Sequence, residues 1–426
     1  MIRLIWLFIL TNSFLLGGVL YAQPTVRANN EKTTVKSLPD LLTLKHGEPV
    51  NSPEVWERLK RPELLHLFKN EVYGMVPDGD PIPSSIEVIE ESDAAFNNKA
   101  HRIQFALDFK KGHRNLRVHI LLYLPKDVLN PPVFLGYNFY GNHTVVHDNN
   151  VLVSDSWVRI NETLDVYNHK ADQKSRGKRS YRWPVDKILQ EGFGIATVYY
   201  GDIDPDRNDF TDGIHPFFYK EGQDEPGLNE WGSLTAWAWG LSRILDCLKG
   251  YEATADSKYI LFGHSRLGKT VLWASALDQR FDMVIANNSG CGGAALFRRK
   301  NGETIQLINN RFPHWFSKSF KKYNDKETML PLDQHMLIAL NAPRPVYIAS
   351  AIKDKWADPE GEYLSAYYAS PVYELYNKRG LSDRNFPDVN KPIHQTIGYH
   401  VRSGKHDVTV YDWKQFMIFA KGHLND

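Results

Sequence analysis

Cysteine is almost missing from this 426-residue chain: only Cys247 and Cys291 occur. Two thiols cannot build a disulfide framework, and a chain this long does not need one to hold a core. One bridge and two free buried thiols are both compatible with the sequence. No Cys/His cluster has the spacing of a zinc site, so neither a metal nor another cofactor is expected. An excess of one charge is missing as well. Lys and Arg total 51 against 50 Asp and Glu, which leaves no global field to gather nucleic acid or an anionic membrane. Long apolar runs are confined to the N-terminus. Arg3 precedes an apolar stretch over residues 4–20, and the small Ala22 precedes a polar segment containing Pro24. That is the layout of a secretory signal. The run is broken by Thr11, Asn12 and Ser13, and it is short for a membrane span. The expectation is a signal peptide over 1–22, export to the periplasm or the exterior, and no stable membrane insertion after cleavage.

What is abundant is aromatic: 11 Trp and 21 Tyr. Such rings fill a large core or stack on the faces of sugars, and composition admits both. Residues 23–52 are polar and without clear period, so they are expected to form an N-terminal arm. A helical region is predicted over 53–72. Period-two patterns over 85–89, 101–109 and 116–124 predict antiparallel strands. A buried strand over 132–139 ends in Tyr140-Gly141-Asn142-His143. Residues 144–182 are polar and irregular, a long insertion of the kind that often carries function. Beyond Pro184 the pattern alternates. Strands are predicted at 195–200, 258–262, 283–286, 346–351 and 395–401, and helices at 185–190, 230–248, 266–277, 332–340, 362–375 and 413–420. Strands alternating with helices mean a mostly parallel sheet covered on both faces. With antiparallel strands in front, the fold class is an α/β-hydrolase: a three-layer sandwich forming one catalytic domain over 53–426, expected as a monomer.

The densest information lies in Gly263-His264-Ser265-Arg266-Leu267-Gly268-Lys269-Thr270, between a predicted strand and a predicted helix. It fits a phosphate-binding loop formally. Against that stand the signal peptide, the late position in the chain, and the ending of the next strand in Asn287-Asn288, where a magnesium-holding Asp is expected. It also fits a nucleophile elbow, with Gly263 allowing a sharp turn and Ser265 exposed at the start of the helix. The second glycine stands one place late, at 268 rather than 267.

A serine hydroxyl needs a base, and the base needs an orienting carboxylate. In this fold the chain order is Ser, acid, His. His406, in Arg402-Ser403-Gly404-Lys405-His406-Asp407 after the last predicted strand, is the favoured base. His400, His394 and His335 compete from poorer positions. The acid could follow either of two strands. Asn287-Asn288-Ser289-Gly290 carries no carboxylate. Asp354, three residues past the strand at 346–351, is favoured, whereas Asp358 before Pro359 reads as a helix cap.

Taken together, these residues resemble the glucuronoyl esterases, carbohydrate esterase family 15, in their bacterial form. The resemblance runs from about Trp183 to the C-terminus, with a weaker echo over 138–145. It rests on the elbow, on Ser289-Gly290-Cys291-Gly292-Gly293-Ala294-Ala295, on Phe312-Pro313-His314-Trp315-Phe316, on Ala342-Pro343-Arg344-Pro345, on Trp356-Ala357-Asp358-Pro359 and on Gly404-Lys405-His406-Asp407. It implies that Ser265 attacks a glucuronate ester, that His406 shuttles the proton, and that Arg266 stabilises the oxyanion. It further implies that Lys269 and Glu303 bind sugar hydroxyls and that Trp356 lines the uronate pocket. The substrate would be glucuronoxylan or a lignin–carbohydrate fragment. Asn288 departs from the glutamate common in the family just before the Ser-Gly, and Asp354 matches the place used by other members. An acetyl or feruloyl xylan esterase of the same fold, a catalytically silent sugar-binding protein and a nucleotide-binding loop are the competing readings.

Overall fold

In the computed structural model, which describes residues 38–79 and 83–424, the apolar runs become strands of a ten-stranded mixed sheet. In chain order these are β1 (Ser85–Ala94), β2 (Ala100–Lys111), β3 (Arg114–Pro125), β4 (Val133–Asn138), β5 (Gly194–Tyr199), β6 (Tyr259–His264), β7 (Met283–Asn287), β8 (Val346–Ala351), β9 (Ile393–His394) and β10 (Ile397–Arg402). The spatial order is β1-β2-β3-β5-β4-β6-β7-β8-β10-β9. From β5 to β10 neighbouring strands run parallel, and each of these six strands is buried along its whole length. That burial explains their unbroken apolar character. The expected signal segment and residues 23–37 of the expected arm lie outside the described residues.

The front of the sheet is antiparallel. β2 and β3 pair without interruption from Ala100↔Pro125 to Lys111↔Arg114. A two-residue turn joins them, with Gly112 at φ 60°, the positive value such hairpins require. β1 is an exposed edge strand, and Glu87, Glu90 and Glu91 keep it from pairing with another sheet.

Two apolar clusters lie on opposite faces of the sheet. Trp237, Leu241 and Leu245 of the helix Ser233–Gly250 join Val271, Leu272 and Trp273 of the helix Arg266–Leu277 in one. Val185 and Ile188 of Val185–Gln190 join Trp413, Phe416 and Phe419 of Val410–His423 in the other. The outcome is helix, sheet, helix, as expected. Trp56, Trp231, Trp237, Trp273 and Trp413 are fully buried, so these rings fill the core. Both thiols are buried and unpaired.

Element ends moved where tertiary contacts override local pattern. The helix expected from 230 begins at Ser233, because Gly232 is pressed against the carbonyls of His314, Trp315 and Phe316. A Cβ there would sit 2.5–2.7 Å from their oxygens. The region at 53–72 is helical to Tyr73, but α turns alternate with wider π turns at Trp56–Lys60 and Lys69–Tyr73. Between β4 and Val185 the long segment holds only single 3₁₀ turns and isolated bridges. It is tied down through Arg102 to Asp148 (2.6 Å) and Ser156 to Asp202 (2.6 Å).

Candidate active site

β6 lies between β4 and β7, near the middle of the sheet, and its C-terminal end opens where open α/β sheets carry their ligands. Ser265 stands there with φ 59° and ψ −127°. Such a conformation costs a non-glycine residue about 1–3 kcal/mol and persists only when its surroundings impose it. Two glycines supply the surroundings. A Cβ on Gly263 would meet the Leu267 carbonyl oxygen at 2.1 Å, and one on Gly268 would meet Ser289 Cβ at 3.0 Å. The late second glycine is thus explained: the close approach falls at 268, while Leu267 is buried in the core. The Ser265 N–H donates to the Asn287 carbonyl at 2.9 Å, locking the turn to the end of β7. The first two amides of the following helix, those of Arg266 and Leu267, have no intrahelical acceptor, whereas the Gly268 N–H donates to the Ser265 carbonyl at 2.9 Å.

Arg266 is held in an aromatic cage. Its guanidinium lies 4.9 Å from the Trp315 ring, 5.5 Å from Phe312 and 5.7 Å from Phe139, and the Phe312 and Trp315 rings stack at 3.7 Å. One Nη donates to Asp206. Asp206, in the loop after β5, also accepts from His314 (2.9 Å), Trp315 Nε1 (2.8 Å) and the Tyr200 hydroxyl (2.9 Å). Burial alone would raise this carboxyl, but Arg266, His314 and Trp315 outweigh it and hold it well below the usual carboxylate range. Asp206 keeps its charge and fixes that of Arg266.

Asp354, in the turn after β8, accepts from His406 Nδ1 at 2.5 Å and from Asn288 Nδ2 at 2.8 Å. Burial pushes its carboxyl up, and the bonds from His406 and Asn288 bring it below its ordinary value. With Nδ1 engaged on a carboxylate, Nε2 is the free nitrogen. The imidazole is 40% exposed, and its ring lies 4.5 Å from that of His264, the residue before Ser265. Among the described residues no hydrogen bond joins His406 to the Ser265 hydroxyl, a common condition of such pairs before substrate arrives. The competing histidines are engaged elsewhere: His400 between Tyr347 and Asp412, His335 on the Pro39 carbonyl, His394 beside Tyr347 and Phe419. Asp358 corrects an expectation. It occupies the N-cap of Pro359–Leu375 but makes no capping bond; its carboxylate pairs instead with Arg299 at 2.8 Å.

Lys269 and Trp356 both meet Glu303. Lys269 is buried, donates to the carbonyls of Ser289 and Cys291 at 2.6 Å each, and lies 3.7 Å from Glu303. The Glu303 N–H donates to the Trp356 carbonyl at 3.0 Å. Burial raises the Glu303 carboxyl, opposed by Lys269, a bond from the Trp356 side chain and the nearby charge of Arg266. The group is tied through Lys269 to the helix that begins at Arg266. Among the described residues no group of three or more His, Cys, Asp or Glu is arranged to hold a metal.

Asp206 and Glu362 are missing from the sequence analysis. Asp206 had a signal: the run Asp202-Ile203-Asp204-Pro205-Asp206 directly follows a parallel strand, where site residues gather. Glu362 had none. It is fully buried in a helix and accepts from Ser289, Gly290 N–H and Ser350 at 3.1, 2.9 and 2.6 Å. Burial pushes it up to about 8 against those three bonds.

Comparison with known proteins gives one answer from three sides. The family model for glucuronyl esterase of fungi matches residues 190–377. Carbohydrate esterase MZ0003, from an unknown prokaryotic organism, is 45% identical over 407 residues, 95% of this chain and 94% of that one. 4-O-methyl-glucuronoyl methylesterase 1 of Wolfiporia cocos is 32% identical over 214 residues, covering 47% of this chain and 50% of that one. The solved glucuronoyl esterase from Solibacter usitatus superposes with a TM-score of 0.86 at 44% identity, over 92% of this chain and 98% of that one. With its α/β-hydrolase fold, its strained Ser265 and these matches, the chain belongs to the glucuronoyl esterases of carbohydrate esterase family 15, which are carboxylic ester hydrolases.

Proposed function

We propose that this chain cleaves the ester between (4-O-methyl-)glucuronic acid of glucuronoxylan and a lignin alcohol, through an acyl-enzyme on Ser265. The Ser265 oxygen bonds to the ester carbon as its proton passes to His406 Nε2. Asp354 keeps the imidazole in the orientation that leaves Nε2 free and offsets its charge. The negative charge that develops on the carbonyl oxygen is met by Arg266, through its N–H at the helix start and its guanidinium. The carbon–oxygen bond to the alcohol then breaks, with His406 returning the proton to the leaving oxygen. Water repeats the sequence to release the free acid and Ser265. Lys269, Glu303 and Trp356 receive the sugar on the acyl side.

The observation that carries this is a pair of carboxylate-anchored groups at one elbow, Asp354 on His406 and Asp206 on Arg266, with Lys269 of the helix that follows Ser265 paired to Glu303. An acetyl or feruloyl acyl group has no use for the last pair. The test compares methyl 4-O-methyl-glucuronate with acetylated xylan, on the wild type and on Ser265→Ala. Hydrolysis of the first, lost in the variant, is the expected result. Preference for the second would overturn the substrate assignment.

The same proposal covers the setting of the enzyme. Among the described residues no helix is long and apolar enough to cross a membrane. We infer export with cleavage after Ala22, monomeric action, and a cleft walled in part by residues 144–182. N-terminal sequencing and gel filtration of the exported protein test the first two.

A further inference from the structure

His406 rides on a segment without regular structure, between β10 and the helix Val410–His423. Segments of that kind are usually the mobile parts of a fold. Here a single buried side chain at the end of β10 fills the inside of the loop. Arg402 donates from Nη1 to the Ser403 carbonyl (2.9 Å) and from Nη2 to the carbonyls of Lys405 (3.1 Å) and Asp407 (2.6 Å). These carbonyls bracket His406. Nε reaches both oxygens of Asp412 at 3.0 and 2.7 Å.

Asp412 is itself fully buried and shared. It accepts from His400 (2.9 Å), from the Thr409 N–H and hydroxyl (2.7 Å each) and from Asn287 Nδ2 (3.5 Å). Asn287 Oδ1 is 2.6 Å from His264 Nδ1, and the His264 ring lies against His406. Burial, reinforced by the neighbouring His406, drives His264 well below its ordinary value, so a neutral ring faces the imidazole. The chain Arg402–Asp412–Asn287–His264 thus joins the loop that carries the imidazole to the elbow that carries the hydroxyl.

We propose that Arg402 is a positioning residue for the general base. Its Nη groups set the path of the loop at 403–407, and Asp412 fixes the guanidinium relative to β6 and β7. It touches neither the substrate nor the imidazole. Lysine could not replace it, because one ammonium cannot span Asp412 and three carbonyls as a planar fork of five donors does. The proposal rests on His406 being the base.

The experiment uses Arg402→Lys and the double variant Arg402→Met/Asp412→Asn, which leaves no buried charge without a partner. Both are assayed for kcat, KM and Tm on methyl glucuronate beside His406→Ala. Expected is a fall in kcat of roughly 10- to 100-fold in both Arg402 variants, with KM nearly unchanged, as a displaced but intact base gives. In the double variant Tm returns close to that of the wild type while kcat stays low. A folded Arg402 variant with kcat near wild type, or a loss confined to KM or Tm, overturns the proposal. If His406→Ala keeps its activity, the assignment of the base fails instead.

Discussion

The two halves of the site are built on opposite principles. Ser265 and Arg266 stand on a strand–helix joint whose shape is dictated by close backbone contacts: Gly263 under the Leu267 carbonyl, Gly268 against Ser289. His406 stands on a loop, half-exposed, and is aimed by side chains from three other places in the chain, namely Asp354, Arg402 and Asp412. The first half is rigid because nothing else fits. The second is rigid because it is hydrogen-bonded, and hydrogen bonds can be removed one at a time without a steric clash.

That contrast can be broken most severely at the nucleophile. Ser265→Ala leaves the joint intact, and kcat on a glucuronate ester is expected to fall by about 10⁴- to 10⁶-fold. Fluorophosphonate labelling should vanish with it. On the other side, Asp354→Asn should cost about 10²- to 10⁴-fold in kcat with little change in KM, because the imidazole loses both its tautomer and its counter-charge. If Asp354→Asn retained near-full rate, the two halves would not depend on each other through the carboxylate. A smaller loss, about 10- to 100-fold in kcat, is expected of Asp206→Asn, which loosens Arg266 in its aromatic cage without removing it.

The smallest effect concerns stability. Glu362 binds its proton in the folded chain up to about pH 8, against 4.5 ordinarily. Between those values the folded state holds a proton that the unfolded state has released, so stability drops as pH rises through the window. Glu362→Gln should remove that slope. Its stability relative to wild type should be more favourable at pH 8 than at pH 5, with kcat barely changed. Chemical denaturation at the two pH values measures it.

The same contrast separates what was legible in the sequence from what was not. The parallel strands, the elbow and the order of Ser265, Asp354 and His406 follow from short-range patterns: apolar runs, glycine spacing, positions just past strand ends. Lys269 was legible only through the family resemblance. Its burial among the carbonyls of Ser289 and Cys291 was not, since those residues are folded under it from another strand. Asp206 carried a signal in its place after β5 but its partners did not, and Arg402 was hidden for the same reason. Each acts on a group 60 or, for Arg402, a few residues away, but each is fixed by partners that only the fold assembles. Asp358 misled because a residue before proline suggests a cap, while the ion pair with Arg299 decided its direction.

Position 288 carries an amide, and that amide donates to Asp354. Its backbone N–H is bonded to Ala349 of the adjoining strand at 2.7 Å, so two neighbouring strand tips flank a single seat beside the imidazole. The negative charge belongs to that seat rather than to either tip. Two exchanges would move the charge from one tip to the other, provided the vacated tip keeps a donor facing the new occupant. Asn288→Asp together with Asp354→Asn would make that move within one molecule.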